Sequence, residues 1–154
     1  MVKVFGIGNV LLGDDGIGVK VVEKIKVLIS DLNENVEVII GETDYLYCID
    51  KINREDIVII VDSSYLNIEP GKVEVRSLEE CDGVIKNSLC QHNESLIWIL
   101  RKELKDIKGY VITIEVAKID YSLELSQEIK NKLPGICYEV FNICKDIIIN
   151  SEKK

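Results

Sequence analysis

The sequence predicts a three-layer α/β/α sandwich built on a five-stranded, mostly parallel sheet with one antiparallel edge strand. Three observations carry that expectation. Strand-like and helix-like apolar patterns alternate from the first residues onward, the order in which parallel sheets are assembled. The run Ile57-Val58-Ile59-Ile60-Val61 is apolar without alternation, which fits a central strand covered on both faces. Lys72-Val73-Glu74-Val75-Arg76 alternates strictly, which fits an edge strand with one face in water. At 154 residues the chain is sized for a single domain spanning 1–154, able to bury about 70% of the surface its unfolded form exposes.

Each element has a local reason. Val2-Lys3-Val4-Phe5 reads as a short buried strand. A glycine-rich turn then leads into a helix whose Gly18, Val21, Val22, Ile25, Leu28 and Ile29 form one apolar stripe, with Lys20, Glu23 and Lys24 outward. That helix is expected to end between Ser30 and Asn33. Residues 36–40 make the second strand, Gly41-Glu42-Thr43-Asp44 turns the chain, and residues 45–53 are expected to form a short helix with Leu46 and Ile49 inward. After the central strand, Pro70-Gly71 marks the turn into the edge strand. Residues 77–88, charged and small, read as an irregular connection. A helix follows with Leu96, Ile97, Leu100 and Leu104 inward and Asn93 or Ser95 as its N-cap. Residues 109–116 make the last strand. Ser126 is expected to cap a helix that Pro134-Gly135 interrupts. It resumes at Ile136, burying Cys137, Val140, Phe141, Cys144, Ile147 and Ile148, and residues 151–154 should fray.

Composition narrows the function. The net charge of -8 disfavours nucleic acid, whose phosphates need a cationic surface, and leaves a peptide or protein as the better partner. Charged residues interrupt every apolar run before the roughly 20 residues that a membrane crossing requires, and the start lacks a basic region followed by a cleavage site. A cytoplasmic protein with no membrane partner is therefore expected; a monomer is the oligomeric state expected of it, though nothing in the composition fixes that. The five cysteines form no CxxC pair and are odd in number, so they read as reduced thiols, with Cys137 and Cys144 as small core residues. Cys90 lies two before His92, but closeness in sequence does not orient a thiol and an imidazole for proton transfer.

The chemistry concentrates in the first loop, Gly6-Ile7-Gly8-Asn9-Val10-Leu11-Leu12-Gly13-Asp14-Asp15-Gly16-Ile17-Gly18. Gly6 and Gly8 fit the first two glycines of a dinucleotide fingerprint, but Leu11 stands at the third position. Asp14 and Asp15 would repel a pyrophosphate at the helix start. Asp62 closes the central strand on the side where open α/β sheets gather ligands, although an aspartate there also caps turns. His92, the one histidine, precedes a helix start and by itself is equally at home on a surface. Together Asp15, Asp62 and His92 lie beside loops expected to open at one end of the sheet. Two carboxylates and an imidazole suit a divalent ion such as nickel, zinc or manganese without selecting one. Acid–base work by Asp14 and Asp15 ranks lower, because neighbouring side chains on a loop often diverge.

The signature from Gly6 to Gly18 resembles the opening of the hydrogenase maturation endopeptidases: Gly-x-Gly-Asn-x-Leu, a spacer, two acids and a glycine-containing helix start. The Val61-Asp62 strand end and the Ser88 to Leu96 run around His92 agree in order and approximate spacing. The sequence departs at Gly41-Glu42-Thr43, where relatives often carry two small residues before the Thr. It departs again at Ala117-Lys118-Ile119-Asp120, which lacks a Pro-Glu pair. The resemblance implies a protease that removes a C-terminal extension from the nickel-loaded large-subunit precursor of a nickel-iron hydrogenase. Asp15, Asp62 and His92 would be its nickel-contacting and catalytic residues. The nickel would be carried by the substrate, and zinc, cadmium or another divalent ion could substitute for it in a crystal. Two rivals stand beside it: a non-catalytic, nickel-dependent maturation chaperone or adaptor that uses the same three ligands, and a nucleotide-binding module that uses the glycine loop instead.

Overall fold

Parallel pairing of apolar strands sets the frame. The computed structural model describes residues 1–87 and 95–153. Strands β1 (Val2–Ile7), β2 (Val36–Glu42) and β3 (Ile57–Ser64) are followed by β4 (Val73–Ser77) and β5 (Lys108–Glu115). They join one sheet in the order β2-β1-β3-β5-β4. All neighbours run parallel except the edge strand β4, which pairs antiparallel with β5. The sheet is therefore the mixed one expected, with the unalternating 57–61 run at its centre.

Alternation along the strands feeds two cores. Val2, Val4, Ile59, Val61, Ile112 and Ile114 point to one face. There they meet α1 (Ile17–Ser30) and α5 (Gln127–Glu152). Phe5, Ile7, Val58, Ile60 and Val111 point to the other. That face is covered by α2 (Tyr45–Asp50), α3 (Leu78–Asn87) and α4 (Leu96–Glu103). The result is three layers. Helix α1 starts hard against the sheet: a Cβ on Gly18 would stand 2.3 Å from the Val61 carbonyl oxygen and 2.5 Å from that of Ile7. Only glycine allows this approach, and it seats the turn ahead of α1 over the ends of β1 and β3.

In α1 the expected stripe is buried except for Leu28, which is 55% exposed, and three other helices depart from expectation, each for a physical reason. Residues 78–87 are helical rather than irregular, because Ser77 and Glu80 close a reciprocal cap. The Ser77 N–H donates to the Glu80 carboxylate at 2.7 Å and the Glu80 N–H to the Ser77 hydroxyl at 3.2 Å. Helix α2 is shorter and rotated: Cys48 is buried and Ile49 half-buried, while Leu46 is 77% exposed. Cys48 turns inward because Gly41 leaves it room, a Cβ there falling 2.3 Å from the Cys48 sulfur. Helix α5 runs unbroken through Pro134 and remains helical to Glu152. Pro134 lies on the exposed side, and Ile129, Ile136, Val140, Cys144 and Ile148 stay buried in register across it. Packing of that stripe outweighs the roughly 3 kcal/mol that an interior proline costs. Within the expected stripe Cys137, Phe141 and Ile147 are half-buried. Among the described residues no helix is long and apolar enough to cross a membrane.

Candidate functional site

The strand order reverses between β1 and β3, since the chain leaves β1 for β2 on one side and returns to β3 on the other. Such a reversal opens a crevice beyond the carboxyl ends of the two strands. Asp15 stands there in a short 3-10 turn, Gly13–Gly16, and Asp62 stands near the end of β3, which continues two residues further to Ser64. The turn closes tightly: Gly8 has φ +139°, and a Cβ on it would lie 2.1 Å from the Asp15 carbonyl oxygen.

Asp15 is half-buried and well supplied with donors. Its Oδ2 accepts the Asn9 N–H at 3.0 Å. Its Oδ1 accepts the Ser63 hydroxyl at 3.0 Å and the Tyr65 hydroxyl as well. The loop amide that a phosphate would seek is thus already engaged by the protein's own carboxylate. Asp62, also half-buried, accepts the Ser63 N–H at 2.7 Å. Burial pushes the Asp62 carboxyl up to about 7; the charge of Asp15 adds to the rise, and the hydrogen bonds from Ser63 oppose it. Tyr45 on α2 is raised by burial and then by the charges of Asp62 and Asp15. Tyr65 is raised by burial and by its bond to Asp15. Two carboxylates and two phenols therefore share one field at this rim, with Asp62 poised to titrate near neutrality.

Asp14 does something else. It is fully buried and turned away toward the segment after β5. Its Oδ2 accepts from the Ala117 N–H at 3.0 Å, the Lys118 N–H at 3.0 Å and the Ser126 hydroxyl at 2.8 Å, and its Oδ1 accepts the Ser126 N–H at 2.7 Å. Ser126 caps α5. The adjacent acids diverge, as their position on a loop suggested, and Asp14 pins the signature turn to the other side of the rim. Glu115, also buried, accepts the Leu66 N–H through both oxygens and so holds the loop that carries Tyr65.

His92 and Asn93 lie outside the described residues, as does Cys90. Helix α4 begins at Leu96 with Ser95 as its cap, the Ser95 hydroxyl accepting the Trp98 N–H at 3.2 Å. Among the described residues no group of three His, Cys, Asp or Glu side chains is placed to hold a metal ion. Two of the three expected ligands, Asp15 and Asp62, come to one rim. Among the described cysteines all are free; burial pushes Cys48 up to about 11 and Cys144 up to about 12, which makes them poor nucleophiles. Ser63, Tyr65 and Glu115 were not singled out from the sequence, and Asp14 was weighed there only as an acid–base partner of Asp15, not as the anchor of the segment after β5. Ser63 and Tyr65 follow Asp62 closely, so proximity was a usable signal, whereas Asp14 and Ser126 are 112 positions apart and left none.

Comparison with known proteins agrees with this architecture. A family model described as hydrogenase maturation protease matches residues 19–143. The chain is 34% identical over 141 residues to a Methanocaldococcus jannaschii protein named as a candidate hydrogenase maturation protease, covering 90% of this chain and 86% of that protein. It is 28% identical over 138 residues to the hydrogenase expression/formation protein HupD of Thiocapsa roseopersicina, covering 86% of this chain and 62% of that one. Among solved structures, the hydrogenase maturating endopeptidase HybD of E. coli superposes with a TM-score of 0.77 at 21% identity, covering 94% of this chain and 92% of that one. The hydrogenase maturation protease HybD of Thermococcus kodakarensis gives 0.71 at 23% identity, covering 93% and 98%. The solved structures carry the fold, and the family model with the Methanocaldococcus relative carries the kinship: the chain belongs to the hydrogenase maturation protease family and is a hydrolase.

Proposed function

We propose that this protein is an endopeptidase that removes the C-terminal extension of a nickel-loaded nickel-iron hydrogenase large-subunit precursor, working in the cytoplasm as a one-domain monomer. Asp15, Asp62 and His92 offer ligands to the nickel that the precursor carries, and so tell a loaded precursor from an empty one. The observation that supports this reading best is the pair of half-buried carboxylates in one electrostatic field at the β1/β3 reversal, one of them held near neutral pKa. A carboxyl raised by burial and by a neighbouring charge is costly to keep ionised, and a divalent cation between the two relieves that cost. The ion can polarise the scissile carbonyl or acidify a water, so hydrolysis needs no serine or cysteine triad. Asp15 is oriented by Asn9, Ser63 and Tyr65 before any ion arrives.

The test is to incubate the purified protein with nickel-loaded and nickel-free precursor and to follow the large subunit by intact mass. Shortening of the loaded precursor alone is expected. Binding of loaded precursor without shortening would make the protein an adaptor instead, and cleavage indifferent to nickel would remove the sensing role from Asp15, Asp62 and His92.

A further inference from the structure

Asp15 is not a bare ligand in the free protein. A carboxylate offers about four lone-pair positions. The Asn9 N–H, the Ser63 hydroxyl and the Tyr65 hydroxyl fill three of them. The first two donors come from residues whose backbone is held, although the Ser63 hydroxyl can itself rotate and also faces Asp62 and Tyr65. The Asn9 N–H belongs to the backbone of the signature turn, and Ser63 stands within β3, paired with Ile114 of β5. Tyr65 is different. It is the first residue beyond β3 and 53% exposed. The backbone on either side of it is held independently of its ring, since the Val116 N–H donates to the Ser64 carbonyl at 3.2 Å and the Leu66 N–H to Glu115. Its hydroxyl can therefore leave Asp15 while the loop stays in place.

We infer that Tyr65 guards Asp15 against loosely held ions: its hydroxyl must leave Oδ1 before a divalent ion binds that oxygen, which raises the concentration at which any ion occupies the site. The inference rests on the proposed role of Asp15 as a ligand. Losing a hydrogen bond to an ionised acceptor lowers affinity by about tenfold or more. The same factor applies to an ion free in solution and to one delivered inside a precursor, but the consequences differ. A free ion has only the site ligands to offset the loss. A precursor also has protein surface to bury, and the exposed side chains of Tyr65 and Leu66 beside the site are open to it. Stray ions then fall below occupancy at concentrations where loaded precursor still binds.

Tyr65→Phe keeps the ring and removes the hydroxyl, and Tyr65→Leu removes both. Each is checked for folding by urea denaturation, and Ni2+ alone and Zn2+ alone are titrated into each variant and into wild type by calorimetry. Both variants are expected to bind the ions about tenfold more tightly. With loaded precursor supplied well below its KM, free Zn2+ is expected to inhibit cleavage at about tenfold lower concentration. Unchanged or weaker ion binding in the folded variants, including no measurable binding in any form, overturns the role of Tyr65. Asp15→Asn separates this from the reading beneath it. If that variant binds ions and cleaves like wild type, Asp15 is not a ligand and the proposed site falls. If it loses ion binding while the Tyr65 variants match wild type, only the guard falls.

Discussion

Asp14→Asn is expected to cost the fold about 3 kcal/mol, while Asp15→Asn, one residue further on, leaves the fold nearly intact and removes activity. The first magnitude follows from the bonding of a fully buried carboxylate that accepts four hydrogen bonds. An asparagine keeps one acceptor oxygen. Placed at Oδ2, that oxygen retains Ala117, Lys118 and the Ser126 hydroxyl, but the amide nitrogen then faces the Ser126 N–H across 2.7 Å. One buried donor is left unmade, at about 1–3 kcal/mol, and the other bonds lose the charge that roughly doubled their strength. At Asp15 the partners include two hydroxyls, which can turn to accept from an amide, so the expected loss is less than about 1 kcal/mol. Urea denaturation measures both. With a slope near 2 kcal/mol/M for a chain of this size, Asp14→Asn should lower the midpoint by roughly 1.5 M and Asp15→Asn by a few tenths. Amide exchange at Ala117, Lys118 and Ser126 should quicken only in the first variant. Equal midpoints for Asp14→Asn and wild type would refute the pin, and a larger loss at Asp15 than at Asp14 would reverse the assignment of structural and functional acid.

Asp62 gives two further expectations. Its carboxyl sits at about 7 in the folded chain against a reference of 3.8, so between those values the folded state holds more protons than the unfolded one. Its contribution to stability therefore declines as pH rises from about 4 to about 7. Asp62→Asn should be more stable than wild type by about 1 kcal/mol or more at pH 8 and lose that advantage toward pH 4, and urea midpoints at both pH values check it. Ligation needs the ionised form, so kcat/KM for loaded precursor should fall as pH drops through about 7, before an ordinary imidazole at about 6.5 takes up its proton. A profile flat from pH 8 to pH 6 would remove Asp62 from the ligand set. Glu42, exposed and left-handed at φ +49°, occupies a conformation that costs a side chain about 1–2 kcal/mol. Glu42→Gly should stabilise by roughly 0.5–1 kcal/mol after glycine's own entropy is subtracted, and thermal unfolding would show it.

The sheet was legible because its cues are local. The unalternating 57–61 run marks the doubly covered central strand and the 72–76 run marks the edge strand, although burial along β4 does not itself alternate and Val75 is 44% exposed; the order of the strands had no such cue. The helices were read less well where the deciding partner lay elsewhere. Helix α2 is turned by a space at Gly41, and α5 crosses Pro134 because its buried stripe holds the sheet on both sides. The cap at Ser77 and Glu80 was a local cue that was passed over. The placement of Asp15 and Asp62 at one rim was readable from the glycine-rich turn and the strand end. That the two acids diverge was expected of neighbours on a loop, but where Asp14 turns was not readable, since it depends on Ser126, more than a hundred residues away.

X-ray absorption at the nickel edge, on loaded precursor frozen with this protein before cleavage, tests the central claim most directly. The nickel should gain oxygen and nitrogen ligands relative to precursor alone, and Asp15→Asn, Asp62→Asn and His92→Ala should each remove one of them. A nickel shell identical with and without the protein, while cleavage proceeds, would contradict the account.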